Sequence, residues 1–126
     1  MLTELTGVRQ TDGRRRRWFR SPHEDLIVWF SEDGSLWGFQ FCYNRDRDER
    51  ALTWRPGHGY SHERVDAGEG PGLDYKQTPI LVPDGAMDSS SVLQVFLDAS
   101  AKVPQFIVDF VADRIKGYRS GGASNA

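Results

Sequence analysis

A chain of 126 residues is long enough for one domain with a hydrophobic core and too short for two. Charged residues make up 27% and aromatic residues 12%, as in an ordinary globular protein, so large rings supply much of the burial. The net charge of −2 excludes bulk electrostatic attraction to nucleic acid or to an anionic membrane.

The single cysteine and the apolar runs bear on location. Cys42 is the only cysteine, so no disulfide can form within the chain, and a reducing compartment is the simplest interpretation. The first residues lack the basic and apolar segments of a secretory signal. The longest apolar run, Leu26–Phe30, is far shorter than the roughly 20 residues that span a bilayer. We expect a cytoplasmic protein that does not contact the membrane.

Two strands are predicted first. Arg14–Arg20 is the first, and it ends at a turn in Ser-Pro-His-Glu, residues 21–24. Leu26–Phe30 is β-branched and aromatic and too short for a helix, which predicts the second.

The dipeptide Asp33-Gly34 predicts how the second strand pairs with the third. It suits a two-residue type I′ hairpin, because both central positions of that turn need positive φ. Directly opposed residues share a face, so this turn would form one apolar surface. The predicted pairs are Phe30 with Trp37, Val28 with Phe39, and Leu26 with Phe41.

Two further turns extend the sheet. A charged loop at residues 45–48 would pair Leu52 with Phe41 and Trp54 with Phe39, which keeps both new residues on the same apolar face. A third turn, Pro-Gly-His-Gly at 56–59, leads to a strand at Tyr60–Asp66. Its register is undetermined, because a one-residue bulge would exchange the two faces.

The remaining segments change from strand to helix patterning. Asp66–Gly72 predicts a loop, and the proline-bounded Thr78–Pro83 predicts an edge strand at best. Apolar residues then recur at helical spacing, and Pro104 predicts the start of a second helix, which Gly117 ends. The apolar positions are Val92, Val95, Phe96, Ala99 and Val103, then Ile107, Phe110, Val111, Ile115 and Tyr118.

These elements predict an α+β fold. An antiparallel β-meander of four to five strands would be packed on one face by two C-terminal helices. Residues 1–118 would form this single domain, and residues 119–126 a disordered tail.

The predicted binding surface is the back of the sheet, the face away from the helices. If the third turn closes evenly, rows of polar and aromatic side chains cross this face, and such a patch is typical of a partner-binding surface. The alternative is the ordinary exposure of an amphipathic sheet, which needs no partner. The predicted ligand-binding or partner-binding residues are Trp29, Gln40, Thr53, Arg55, Tyr60, His62 and Arg64.

The remaining motifs give weaker evidence of function. Arg14–Arg20 could hold phosphates and stack bases, but an edge strand guarded by charge explains it better, and the chain has no second basic cluster of that purity. His58 and His62 would lie roughly 13 Å apart on a strand, too far to share an ion. We interpret Cys42 as a small residue that fills space in a strand. No pair of carboxylates has a sequence spacing that would support acid–base catalysis. We predict no catalytic residue, metal site or cofactor.

Several segments resemble a family of short, uncharacterised bacterial proteins. The resemblance implies a stand-alone bacterial cytoplasmic domain and transfers no functional residue. It is carried by residues 16–19 (Arg-Arg-Trp-Phe), 25–30 (Asp-Leu-Ile-Val-Trp-Phe), 38–43 (Gly-Phe-Gln-Phe-Cys-Tyr), 51–55 (Ala-Leu-Thr-Trp-Arg), 61–66 (Ser-His-Glu-Arg-Val-Asp) and 78–82 (Thr-Pro-Ile-Leu-Val).

Three functions remain open from the sequence. The first is a non-enzymatic interaction module, a homodimer formed through the sheet or a domain that binds another protein. The second is a small-molecule binding protein or minor enzyme that uses the polar patch on the back of the sheet. The third, which we do not expect, is nucleic-acid binding through Arg14–Arg20.

Overall fold

One antiparallel sheet followed by two helices accounts for the described part of the chain. In a computed structural model, this part comprises residues 1–8, 10, 14–66, 80–83 and 87–118. Its elements are β1 (Thr3–Glu4), β2 (Arg15–Arg20), β3 (Asp25–Phe30), β4 (Leu36–Tyr43), β5 (Arg50–Arg55), β6 (Gly59–Asp66), β7 (Ile80–Pro83), α1 (Ser89–Ala99) and α2 (Gln105–Lys116).

The sheet is a plain meander, in which every strand pairs with its neighbour along the chain, in the order β1 to β7. The predicted α+β class, with an antiparallel meander and two C-terminal helices, is confirmed. The strand count of four to five was too low, because short strands extend both edges of the sheet. The predicted tail, residues 119–126, lies outside the described residues, as does the 66–72 loop after its first residue.

The hairpin at Asp33-Gly34 differs from prediction in its turn. Val28 pairs with Phe39 and Leu26 with Phe41, as expected, but the register shifts by one residue before Phe30. Phe30 therefore pairs with Leu36 instead of Trp37. Of the two turn residues only Gly34 has positive φ, +91°, and its N–H donates to Ser31 O at 2.9 Å. This pattern is typical of the three-residue hairpin loop with a glycine bulge.

The next two turns decide which side chains face the helices. The 45–48 hairpin pairs Leu52 with Phe41, as predicted. The turn after β5 does not close evenly: His58 N donates to Arg55 O at 3.0 Å, and Gly57 and Gly59 have φ of +82° and +73°. Leu52 consequently pairs with His62, and the prediction that His62 lines up with Gln40 and Thr53 on the back face was wrong.

The hydrophobic core lies between the helices and one face of the sheet. Phe41 and Phe96 meet edge to face at the centre, with ring centroids 5.3 Å apart. Asp88 caps α1, accepting a hydrogen bond from Ser91 N at 3.4 Å. The predicted restart of the helix at Pro104 is confirmed, but Pro104 is the N-cap of α2 and not its first helical residue. Leu2 is fully buried, and its N–H donates to Ala99 O at 2.8 Å. Neither described helix is long and apolar enough to cross a membrane.

Candidate interaction surface

The face of the sheet away from the helices carries a group of large apolar side chains, here called the tryptophan face: Trp18, Ile27, Trp29 and Trp37. Trp18 of β2 pairs directly with Ile27 of β3, so the two share a face. Trp29 is two residues beyond Ile27 on the same strand and therefore on the same side. All four are half-buried. The helices pack on the opposite face of the sheet, against residues such as Leu26 and Phe41.

The register shift in the hairpin of β3 and β4 brings Trp37 to this group. Its ring lies 6.4 Å from that of Trp29, at an interplanar angle of 79°. The edge-to-face arrangement is one of the favoured geometries for aromatic pairs. Arg14 lies over the Trp37 ring, with its guanidinium carbon 3.8 Å from the ring centroid. One bulge thus converts a predicted core residue into part of the tryptophan face.

Arginines flank Trp18 on its own strand. The guanidinium carbons of Arg16 and Arg20 lie 5.7 Å and 5.3 Å from the Trp18 ring centroid. At such exposed sites a cation–π contact contributes about 0.5–1 kcal/mol. The alternation of β2 explains the arrangement, because residues 16, 18 and 20 point to the same side of the sheet.

Asp25 fixes this end of the face by joining three segments of the chain. One of its oxygens accepts from the indole N–H of Trp18 at 3.0 Å and from Arg20 Nε at 2.9 Å. The other lies 3.4 Å from Arg45 Nε, in the loop between β4 and β5. The Asp25 side chain is only 12% exposed, so these partners compensate a largely desolvated carboxylate. They also hold the Trp18 ring in one orientation.

Cys42 lies beside Asp25 and has lost its acidity. It pairs with Asp25 on β3 and with Ala51 on β5. Burial, followed by the nearby charges of Glu49 and Asp25, raises the pKa of the Cys42 thiol from 9.0 to about 12. Nucleophilic cysteines need the opposite environment, an accessible and electropositive one. The thiol therefore fills space in the sheet.

We expect native Cys42 to react very slowly with an aromatic disulfide reagent at neutral pH. A pKa of about 12 in place of 9.0 lowers the thiolate fraction about a thousandfold, and the thiolate is the reacting form. The measurement is the rate of release of the coloured thiol, compared with that of the same protein in denaturant. Equal rates in the two conditions would contradict this account.

Four of the seven predicted binding residues share the side of the tryptophan face. Gln40 pairs with Ile27, and its carboxamide donates to Thr53 Oγ1 at 3.0 Å. Thr53 is buried, and Arg55, two residues further along β5, is exposed. Together with Trp29 they form the part of the predicted set that the structure brings together.

The other three, Tyr60, His62 and Arg64, alternate onto the helix-facing side of β6. Tyr60 donates from its hydroxyl to Arg114 O at 2.7 Å, which ties β6 to α2. His62 is 7% exposed and places Nε2 2.5 Å from the hydroxyl oxygen of Tyr43. Tyr60 thus connects the sheet to α2, and His62 lies in the core.

Sequence reasoning missed most of the arginine–tryptophan arrangement and the role of Asp25. The alternation of Arg14, Arg16, Trp18 and Arg20 at every second residue was the available signal, because it puts all four on one face of a strand. No comparable signal links Asp25 to Arg45, which are brought together only by the fold.

Neither a metal site nor a similarity to a known protein points to a further functional site. Among the residues that the structure describes, no group of three or more His, Cys, Asp and Glu side chains could hold a metal ion. No family model, curated protein or solved structure matches this chain.

Proposed function

We propose that this protein is a non-enzymatic interaction module that forms a homodimer through the tryptophan face. The observation that carries the proposal is the clustering of Trp18, Trp29 and Trp37, half-buried and flanked by arginines, on the side of the sheet opposite the helices. Tryptophan and arginine are enriched among the residues that dominate binding energy at protein interfaces.

The rigidity of this surface supports binding. Asp25 orients Trp18, Arg14 lies over Trp37, and the two rings of Trp29 and Trp37 brace each other. Side chains that are already ordered lose little rotamer entropy on association, a cost of about 0.5–1.5 kcal/mol for each mobile side chain. A preorganised aromatic surface is therefore a better binding site than the same residues would be in a mobile loop.

The charges on this side suit the pairing of two copies. Arg16 and Arg20 lie on β2, whereas Glu63 lies on β6, opposite Ala51 on the same face. A two-fold axis parallel to the strands and passing over β4 would put β2 of one copy above β6 of the other. Such an axis keeps each residue at its level along the strands, and Arg20 lies at the level of Asp25, Cys42, Ala51 and Glu63. Arg20 of each copy would then meet Glu63 of the other in an aligned sheet-on-sheet packing.

The protein should be a dimer at micromolar concentration, and Trp29→Lys should dissociate it. Loss of a central aromatic anchor costs about 2 kcal/mol or more, which weakens the dimer at least about thirtyfold. Sedimentation equilibrium gives the dissociation constants. The control is Phe106→Lys, which places the same charge on α2, at an aromatic residue that is 52% exposed on the other side of the molecule.

Charge reversal tests the orientation of the two copies. Glu63→Arg should weaken the dimer more than Glu63→Gln does, because only the arginine variant repels Arg20 of the other copy. A native protein that is monomeric at these concentrations, or a Trp29→Lys variant that dimerises as well as Phe106→Lys, would refute the proposal. Circular dichroism establishes that each variant is folded.

The proposal includes a cytoplasmic location and, from the resemblance noted in the sequence, a bacterial source. A single cysteine that is largely buried in the sheet suits a reducing compartment. Nucleic-acid binding through Arg14–Arg20 has less support, because Trp18 is flanked by its own arginines and Arg20 is paired with Asp25 at 2.9 Å.

A further inference from the structure

The outer edge of β2 is completed by a side chain where a strand would be expected. β1 pairs Thr3 with Arg20 and Glu4 with Phe19, and Leu5 N donates to Trp18 O at 2.9 Å. Continued in this register, β1 would place Gly7 opposite Arg16. The chain instead bends at Thr6-Gly7, where Gly7 has φ of +68°, and β1 stops after two residues. The backbone of Arg16 is left beyond the end of β1.

The carboxamide of Gln10 occupies that position. Its oxygen accepts from Arg16 N at 2.8 Å, and its nitrogen donates to Arg16 O at 3.0 Å. This pair of bonds is the one that a residue on a neighbouring antiparallel strand exchanges with its partner. A carboxamide has the same donor and acceptor as a peptide unit, so Gln10 imitates one residue of a strand.

The space beside this contact is large enough for an extended chain. A cleft of about 520 Å³ lies along the edge, between the bend of Leu5–Val8 and the β2 residues Arg15–Arg17, with Gln10 in its lining. Addition of a strand to an exposed sheet edge is a recurring mode of peptide recognition, in which backbone hydrogen bonds supply the affinity.

The charge of the edge selects the occupant. Arg14 and Arg15 are exposed, and Arg16 and Arg17 follow them. Arg17 already pairs with Glu4 at 2.7 Å, which shows that a carboxylate can be accommodated beside this strand. A second copy of β2 would bring arginines against arginines, and like charges that oppose each other across strands are destabilising. The edge therefore suits an acidic partner.

We propose that the edge of β2 at Arg16 is a strand-addition site for an extended acidic peptide, and that Gln10 is a placeholder which such a peptide displaces. The site adjoins the tryptophan face, because Arg16 flanks Trp18, but it uses the outward backbone edge of β2 and does not depend on dimer formation. Binding exchanges the two hydrogen bonds of Gln10 for those of a peptide residue, and the carboxylates of the peptide add pairing with the arginines.

The probe is a short capped peptide of alternating glutamate and valine, titrated while the Trp fluorescence of the protein is recorded. Gln10→Ala should bind it about tenfold more tightly than the native protein, because a ligand that must displace a competitor loses affinity in proportion to the time for which its site is occupied. The same peptide N-methylated at alternate residues, which lacks the amide donors, should bind at least about tenfold more weakly. A lysine–valine peptide should not bind.

A pair of variants at Arg16 separates backbone from side-chain recognition. Arg16→Pro removes the N–H that faces outward, a change that edge strands tolerate, and should abolish binding. Arg16→Ala keeps the N–H and should retain most of it. Equal affinities of the native protein and Gln10→Ala, or of the methylated and unmethylated peptides, would overturn the proposal. The peptide comparison needs only native protein, so it decides the question even if the proline variant does not fold.

Discussion

Replacement of Gly38 by alanine should lower the free energy of unfolding by about 3 kcal/mol, the upper end of the cost of overpacking. Gly38 is buried in the middle of the sheet, opposite Trp29. A Cβ at this position would lie 2.6 Å from the backbone oxygen of Trp54 and 3.4 Å from Cγ of Arg55. The oxygen belongs to the neighbouring strand and cannot move without disturbing the pairing of β4 with β5. Urea denaturation monitored by circular dichroism gives the change.

The matched control is Gly34→Ala, which tests backbone conformation without a steric clash. Gly34 has φ of +91°, but no atom lies within 4 Å of the position that a Cβ would take there. The cost should be only about 1–2 kcal/mol, the usual penalty of the left-handed region for a residue with a Cβ. A Gly38→Ala variant as stable as Gly34→Ala would show that β4 and β5 do not approach each other this closely at residue 38.

Phe96→Ala should destabilise the protein by about 3–5 kcal/mol, the range measured for removal of a buried phenylalanine ring. Phe96 is fully buried, and its ring contacts Phe41 edge to face at 5.3 Å. Phe41 in turn stacks on Tyr43 at 5.8 Å, so the loss leaves a cavity at the centre of the aromatic core. Chemical denaturation followed by far-ultraviolet circular dichroism measures the loss.

Phe106→Ala is the control for the Phe96 variant. Phe106 has the same side chain on the first turn of α2, but it is 52% exposed. Its removal creates no enclosed cavity, and the free energy of unfolding should change by less than about 1 kcal/mol. A similar cost at the two positions would contradict the assignment of Phe96 to the core.

The fold could be predicted as far as side-chain alternation fixes it. Leu26, Val28, Phe39 and Phe41 were assigned to the helix side because alternating apolar residues on two strands agree in only one register. The 45–48 loop has an even number of residues, and the predicted pairing across it is confirmed. The errors arose at the loops after β3 and β5, where glycines with positive φ gave the loop an odd number of residues.

The turn after β5 shows why one such loop matters for the candidate site. Gly57 and Gly59 both adopt positive φ, and the pairing of Trp54 with Tyr60 follows from that geometry. Two glycines in a row of four permit several turn types, and composition does not choose among them. A shift of one residue then moved Tyr60 and His62 from the predicted binding face to the core side.

Trp29, Gln40, Thr53 and Arg55 could be placed together from the sequence because the two turns between their strands preserve the register at these positions. The ion pair of Asp25 with Arg45 could not, since it joins a strand to a loop through three-dimensional proximity alone. Trp37 was misplaced for a different reason, the bulge that separates it from Phe30.

The order of the elements has a consequence during synthesis on the ribosome. Neighbouring strands pair as they emerge, so the hairpins can form early, and such local contacts favour fast folding. The apolar side of the sheet, however, is covered by α1 and α2, which follow every described strand and therefore leave the ribosome after them. The N–H of Leu2 also lacks its partner, the carbonyl oxygen of Ala99, until α1 has been synthesised. The nascent sheet is thus exposed to aggregation until α1 and α2 have been synthesised, and a truncated chain that ends before residue 89 should depend on chaperones to stay in solution.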